Sequence, residues 1–313
     1  MARSSRKSTS RAVPRNWRAV STQAHHFRRA RGLTALVTAL VAVLVITPLS
    51  SASAQTATER SIRVFPRASL FAPLSADPRW PRFTIGYTRY FDDSEFTHVG
   101  NAEAGASIAI VQKENRRGSW EIGIQGGIFA FFDFGAPSND LVNADYLGGL
   151  TFSYALDSLV FLARFFHQSS HLGDEYLLNN EVERINLSFE ALDVMLAYVP
   201  RPWARVYGGT AVIVRVEPSN LDRWSLQAGA EVRPLTSTTN VPVQLLMAVD
   251  LKSWQQNDWT PDVSFVAGVT LDPIGESSYR VDFLIRYYIG RSPNGQFFTE
   301  RIQTLGPAVQ LYF

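Results

Sequence analysis

The sequence has 313 residues, 46% of them hydrophobic, and a mean hydropathy of only −0.05. A bundle of membrane-spanning helices would raise that mean strongly, so the composition excludes a helical membrane protein. The formal net charge is +2, and the absence of cysteine excludes a disulfide framework and thiolate metal sites.

The N-terminal segment has the three parts of a secretory signal peptide. Basic residues precede the almost wholly apolar run 33–49, and the small residues of 51–54 follow it. This pattern predicts cleavage after Ala54, although a retained N-terminal anchor would begin in the same way. Residues 1–54 hold 9 of the 30 Lys and Arg residues and none of the 28 Asp and Glu residues, so the mature chain has a net charge of −7. That charge argues against nucleic acid as a partner.

Residues 55–81 are predicted to be an irregular periplasmic lead-in or plug. The prolines between Pro73 and Pro81 are incompatible with a helix or a central strand.

From about residue 82 to the end, apolar and polar residues alternate, which gives a strand one apolar and one polar face. A soluble β-sandwich shows the same alternation. Two features favour a membrane barrel over the sandwich: the polar faces carry charged residues, and aromatic residues lie at the segment ends. The predicted fold is therefore all-β, a transmembrane antiparallel up-and-down β-barrel over residues 82–313. The predicted strands are 82–90, 102–112, 119–132, 145–156, 159–169, 182–199, 203–216, 222–233, 241–251, 262–271, 279–290 and 303–313.

This list gives twelve strands if 182–199 is one strand with a bulge near Leu192 and Asp193. Two strands there would give thirteen, an odd number that single-chain bacterial barrels avoid, and fourteen is the nearest larger even number. Long loops, including 170–181, then fall on one end, which we expect to face outside the cell. The last strand ends on Phe313 and resembles the terminal strand that the barrel-assembly machinery recognises. These features predict a bacterial outer-membrane protein.

Two stretches of the sequence resemble a known family. Residues 73–79 read Pro-Leu-Ser-Ala-Asp-Pro-Arg, and residues 167–175 read His-Gln-Ser-Ser-His-Leu-Gly-Asp-Glu. Together they resemble the bacterial outer-membrane family called domain of unknown function 1207, from about Phe65 onward. The resemblance implies a fold and a location but no activity.

The pair His167 and Ser169 is the candidate catalytic motif. Arg164 and Gln168 are expected to face the lumen, so the odd-numbered face of this strand, which carries His167 and Ser169, is expected to face lipid. On one face of a strand, an imidazole is placed to act as general base toward the hydroxyl. Glu181 is the predicted third residue, which would orient the imidazole.

The choice of Glu181 assumes that the odd-numbered residues Ile185, Leu187 and Phe189 of the next strand also face lipid. This hairpin resembles those of outer-membrane phospholipase A and lipid A deacylase barrels, which carry His-x-Ser on the outer wall and an amide or acid about a dozen residues later.

Other interpretations of the same segment stay open. His167, His171, Asp174 and Glu175 offer nitrogen and oxygen ligands for a divalent cation such as calcium, the one cofactor considered. The residues also suit a barrel rim that contacts lipid and lipopolysaccharide. The functional hypotheses are therefore a barrel without catalysis, serving as envelope structure or a narrow conduit, and an outer-membrane lipid hydrolase.

Overall fold

The computed structural model describes residues 62–91, 95–180, 182, 186–234, 243–271 and 280–312. The predicted signal peptide and Phe313 lie outside these residues. The strands are β1 (Ile62–Val64), β2 (Phe83–Tyr90), β3 (His98–Asn115), β4 (Gly118–Asp133), β5 (Leu141–Leu156), β6 (Leu159–Leu172), β7 (Leu187–Arg201), β8 (Ala204–Glu217), β9 (Trp224–Val232), β10 (Val243–Trp254), β11 (Pro261–Leu271), β12 (Arg280–Arg291) and β13 (Arg301–Tyr312). Helix α1 (Asp174–Asn179) follows β6, and short 3-10 helices span Gln255–Asn257 and Gly295–Phe297.

Strands β2 to β13 form a closed antiparallel barrel of twelve strands. Each strand pairs with the next, and β13 pairs with β2 so that Leu311 lies opposite Phe83. The short strand β1 pairs with β3, with Val64 opposite Val111. The predicted all-β barrel of twelve strands is confirmed.

The barrel wall is apolar outside and polar inside. In β12, Ile285 is 51% exposed on the outer wall, whereas Asp282 is completely buried on the inner wall. The same alternation places Glu103, Glu121 and Asp145 inside the barrel. An exposed apolar wall around a charged interior is the arrangement of a membrane barrel, because a soluble sandwich buries its apolar face. None of the helices within the described residues is long and apolar enough to cross a membrane.

Strand β7 alternates regularly between the two walls. Leu192 is 43% exposed on the outer wall and Asp193 is 5% exposed on the inner wall, with continuous pairing to β6 and β8 at both positions. The bulge predicted near these residues is therefore wrong. The register shift lies on β8, where Glu190 pairs with Arg215 and Ala191 pairs with Ile213, leaving Val214 as the extra residue.

The two ends of the barrel differ in their connections. One end, which we call the loop end, carries the connections 91–97, 134–140, 173–186, 218–223, 255–260 and 292–300. The opposite end, which we call the turn end, has two-residue turns at 116–117, 157–158 and 202–203 together with longer connections after β9 and β11. The predicted placement of the long loops on one end thus holds for most connections.

Residues 70–82, which we call the plug, lie largely inside the barrel. Leu74 is completely buried and Trp80 is 1% exposed. The Ser75 backbone N–H donates to the Glu231 carboxylate at 2.6 Å, and the Arg79 guanidinium donates to the Asp145 carboxylate at 2.7 Å. The prolines interrupt any continuous pairing with the strands, and inward-facing charged side chains of the wall bind the plug backbone instead.

The connection 292–300 folds into the mouth of the barrel at the loop end. The backbone N–H of Gly295 donates to Asp145 at 2.9 Å, and the Gln296 amide donates to the carbonyl oxygen of Ser170 at 2.9 Å. Phe297 packs edge-on against Phe96 in a buried aromatic cluster. The plug and this connection thus both occupy space inside the barrel.

Candidate functional site

The predicted His-x-Ser motif lies on the outer wall near the loop end of β6. Residues of β6 alternate, with Arg164 and Gln168 buried inside the barrel and His167 exposed outside. Ser169, two residues further on, shares the face of His167 and is partly exposed. The structure therefore brings these two predicted residues onto one face.

Glu190 of β7 supplies the acid that contacts the histidine. It lies directly opposite His167 in the β6–β7 pairing, and its Oε1 atom is 3.0 Å from His167 Nδ1. The side chains of His167 and Glu190 are 52% and 26% exposed. A carboxylate at Nδ1 favours the tautomer with the proton on that nitrogen, so Nε2 is left as the basic nitrogen.

Glu181, the predicted acid, lies outside the described residues. The assumption behind its choice is wrong, because Leu187 is 5% exposed on the inner wall and Phe189 shares that face. The other residue used for that assumption, Ile185, also lies outside the described residues. Where β7 and β8 approach the loop end, apolar side chains line the interior, since Phe166 and Phe189 pack with Ala191 and Ile213. The rule that polar residues face the lumen therefore fails here, and the even-numbered residues of β7 face outward.

The hydroxyl of Ser169 has polar and aromatic neighbours on both sides. Ser188 of β7 lies directly opposite it, and Tyr146 of β5 lies opposite it on the other side. The Cβ atoms of such directly opposite residues are about 5 Å apart. In the part of the chain that the structure describes, no hydrogen bond of the Ser169 hydroxyl is found, so its position leaves it available to a ligand.

The predicted cation ligands are not gathered into one site. Asp174 and Glu175 belong to the first turn of α1, whereas His171 lies on β6 with its ring 5.7 Å from that of Tyr146. Among the described residues, no group of three or more His, Asp or Glu side chains is placed to hold a metal ion. The structure thus supplies no geometry for a site made of His171, Asp174 and Glu175.

The site lies where the polar and apolar zones of the outer wall meet. The next outward residues toward the turn end are Phe165 on β6, Leu192 on β7 and Leu150 on β5, all at least 43% exposed. An apolar wall of this kind contacts acyl chains in a bilayer, whereas polar side chains suit the headgroup layer. His167 and Ser169 therefore lie at the boundary between the polar and apolar zones of the outer wall.

The comparisons with known proteins agree with this fold. A family model described as "Protein of unknown function (DUF1207)" matches residues 46–313. The chain belongs to this family. No curated protein matches the chain in sequence.

Several solved structures are similar to this member of the DUF1207 family. Outer-membrane phospholipase A from Escherichia coli has 12% identity and a TM-score of 0.50, covering 74% of this chain and 92% of its own. The calcium-bound dimer of the Salmonella typhi outer-membrane phospholipase has 12% identity and a TM-score of 0.49, covering 78% and 94%. The transport unit of the Escherichia coli autotransporter AIDA-I has 13% identity and a TM-score of 0.41, covering 92% and 99%. At these identities, the first similarity shows an outer-membrane type of barrel fold and nothing about activity.

Sequence reasoning missed Glu190 although a signal for it was present. The side chains of residues 187 to 197 alternate between the two walls without interruption if the apolar residues Leu187 and Phe189 are assigned to the inner wall. That assignment places Glu190 outward and next to the motif strand. Arg215, which pairs with Glu190 from β8, had no such signal because its position depends on the bulge at Val214.

Proposed function

We propose that this protein is an outer-membrane lipid hydrolase that cleaves acyl esters at the outer wall of its barrel. The observation that carries the proposal is the 3.0 Å contact between His167 Nδ1 and Glu190, with Ser169 on the same face two residues away. Ser169 is the nucleophile, His167 the general base and Glu190 the residue that orients the imidazole. The loop end is taken to face outside the cell.

The chemistry follows from these roles. His167 Nε2 accepts the proton of Ser169 as its oxygen attacks the ester carbonyl carbon, and Glu190 stabilises the resulting imidazolium. The imidazolium then gives its proton to the leaving alcohol oxygen as the ester bond breaks, which leaves an acyl group on Ser169. Water, deprotonated by His167, attacks that acyl group, and the fatty acid leaves as Ser169 regains its proton. The hydroxyl of Ser188, directly opposite Ser169, is our candidate donor for the developing oxyanion.

The two candidate acids give a sharp test. In a fatty-acid release assay on phospholipid in detergent micelles, Glu190→Ala is expected to lower kcat by about 10²- to 10⁴-fold, the range for loss of an orienting acid. Glu181→Ala is the matched control, since it removes the acid that sequence reasoning chose, and it is expected to retain wild-type kcat. A loss of activity in Glu181→Ala with retention in Glu190→Ala would contradict the proposed arrangement.

A barrel without catalysis, serving as envelope structure or a narrow conduit, is the second candidate. The plug favours envelope structure over a conduit. Its residues Leu74 and Trp80 are buried inside the barrel, where they would obstruct a channel. In this case, the wild-type protein releases no fatty acid from phospholipid or lipopolysaccharide. In both cases we propose that lipid and lipopolysaccharide contact the outer wall, and that the strand ending in Phe313 is recognised by the assembly machinery.

A further inference from the structure

The bulge on β8 turns an arginine onto the outer wall beside the candidate site. Up to Ile213, which is 4% exposed, the odd-numbered residues of β8 face the interior, as Tyr207 also does. Val214 is the extra residue of the bulge and is 48% exposed. Arg215 is therefore exposed as well, and Val216 takes the next inward position with 6% exposure. Without the extra residue, Arg215 would fall on the inner wall.

The connection after β8 holds this bulge in place. The Arg223 guanidinium donates to the carbonyl oxygen of Val214 at 3.0 Å, and the Ile213 backbone N–H donates to the carbonyl oxygen of Arg223 at 2.9 Å. Carbonyl groups that a bulge removes from the ladder need such donors. The outward position of Arg215 is thus supported by contacts outside its own strand.

Arg215 continues the row of site residues across the barrel wall. It lies directly opposite Glu190, which lies directly opposite His167 on the far side. Neighbouring strands are about 4.8 Å apart, so the backbone of Arg215 is about 10 Å from that of His167. Among the described residues, no ion pair or hydrogen bond of its guanidinium is found, whereas Glu190 is bound to His167.

We propose that Arg215 binds the phosphate group of the lipid whose ester reacts at Ser169. This inference rests on the proposed function and deepens it by naming the substrate class, a phosphate-bearing acyl ester lipid. Arginine suits the role because its planar guanidinium forms two parallel hydrogen bonds with a phosphate. In one lipid molecule a short polar backbone joins the phosphate to the acyl ester. The phosphate can therefore reach Arg215 on β8 while the ester lies at Ser169 on β6, two strands away. The acyl chain then lies along the apolar wall at Phe165 and Leu192.

Kinetics on three lipids test the substrate class. The substrates are phosphatidylglycerol, purified lipid A and the phosphate-free diacylglycerol, each in a phosphate-free detergent. Arg215→Gln is expected to raise KM by about 10-fold or more for a phosphate-bearing substrate, the loss typical of a charge-assisted contact, with little change in kcat. Diacylglycerol should show no change. Effects on phosphatidylglycerol alone or on lipid A alone identify which lipid supplies the phosphate, and Arg215→Lys should restore part of the loss.

Arg89→Gln is the matched control. Arg89 is also exposed near the loop end, but on β2, which is six strands away around the barrel, and its guanidinium lies near the Phe91 ring. Its substitution should leave all three KM values unchanged. An equal effect of Arg215→Gln on diacylglycerol, or none on either phosphate-bearing lipid, would overturn the proposal.

A binding measurement separates this proposal from the proposed hydrolase function. Phosphorus-31 NMR of short-chain phosphatidylglycerol, and separately of lipid A, is recorded with the Ser169→Ala variant, which removes the nucleophile and keeps Arg215. Broadening of either phosphate resonance that disappears with Arg215→Gln supports the phosphate site, even if the wild-type protein proves to hydrolyse no lipid. The phosphate site is rejected if neither resonance broadens, or if the broadening is equal for Ser169→Ala and Arg215→Gln.

Discussion

Replacing Ser169 with alanine is expected to abolish fatty-acid release while the barrel stays folded. Loss of a serine nucleophile typically lowers kcat by at least about 10³-fold, because the remaining groups only bind and polarise the ester. Ser169 is partly exposed on the outer wall, and no hydrogen bond of its hydroxyl is found within the described residues. Alanine therefore removes the reacting oxygen and no contact that stabilises the fold. The measurement is fatty-acid release from phosphatidylglycerol and from lipid A.

Ser158→Ala is the control for this prediction, since Ser158 lies in the β5–β6 turn at the opposite end of the barrel. It should retain wild-type kcat. Folding of both variants is checked by heat-modifiable migration in gels, which reports barrel closure. If Ser169→Ala hydrolyses lipid at the wild-type rate, Ser169 is not the nucleophile.

Replacing Arg205 with leucine is expected to release the plug from the barrel wall. The Arg205 guanidinium donates to the carbonyl oxygens of Ala72 and Pro73 at 2.7 and 2.6 Å, and to Glu231 at 2.6 Å. Leucine removes all three bonds and leaves Glu231 buried with weaker support from Arg233, 3.9 Å away. Breaking one partner of a buried ion pair costs about 3–5 kcal/mol. We expect a lower free energy of unfolding in urea and a higher ion conductance in planar bilayers than for the wild-type protein.

Arg116→Leu is the matched control for the plug. Arg116 is exposed in the β3–β4 turn, so its substitution should change neither the free energy of unfolding nor the conductance. Wild-type stability and wild-type conductance in Arg205→Leu would show that other contacts hold the plug without this residue.

The sequence was sufficient for the barrel because its signal is local. Each strand places successive side chains on opposite walls, so residues such as Asp282 and Ile285 show their faces through alternation alone. The charged residues on one face and apolar residues on the other then distinguish a membrane barrel from a sandwich. The placement of the plug could not be predicted from local patterns. Ser75 binds Glu231, which is 156 residues away in the sequence, and no local pattern specifies such a contact.

The candidate site was predictable only in part. His167 and Ser169 lie on one strand, so their shared face follows from spacing. The acid comes from the next strand, and its identity depends on the register across the connection 173–186. The rule that polar residues face the lumen selected the wrong wall there, because Phe166 and Phe189 lie in an apolar cluster on the inner wall beside β7. Arg215 depends on one extra residue in β8, which sequence alternation alone does not reveal.

Covalent trapping of the nucleophile tests the central claim most directly. A long-chain alkyl fluorophosphonate reacts with an activated serine oxygen, expels fluoride and stays attached, so mass spectrometry of the digested protein identifies the labelled residue. We predict that the membrane-embedded wild-type protein carries the label on Ser169 and that His167→Ala carries none, because the base is lost. Wild-type protein that hydrolyses lipid while Ser169 stays unlabelled, or that carries the label equally without His167, would contradict a Ser169–His167–Glu190 hydrolase.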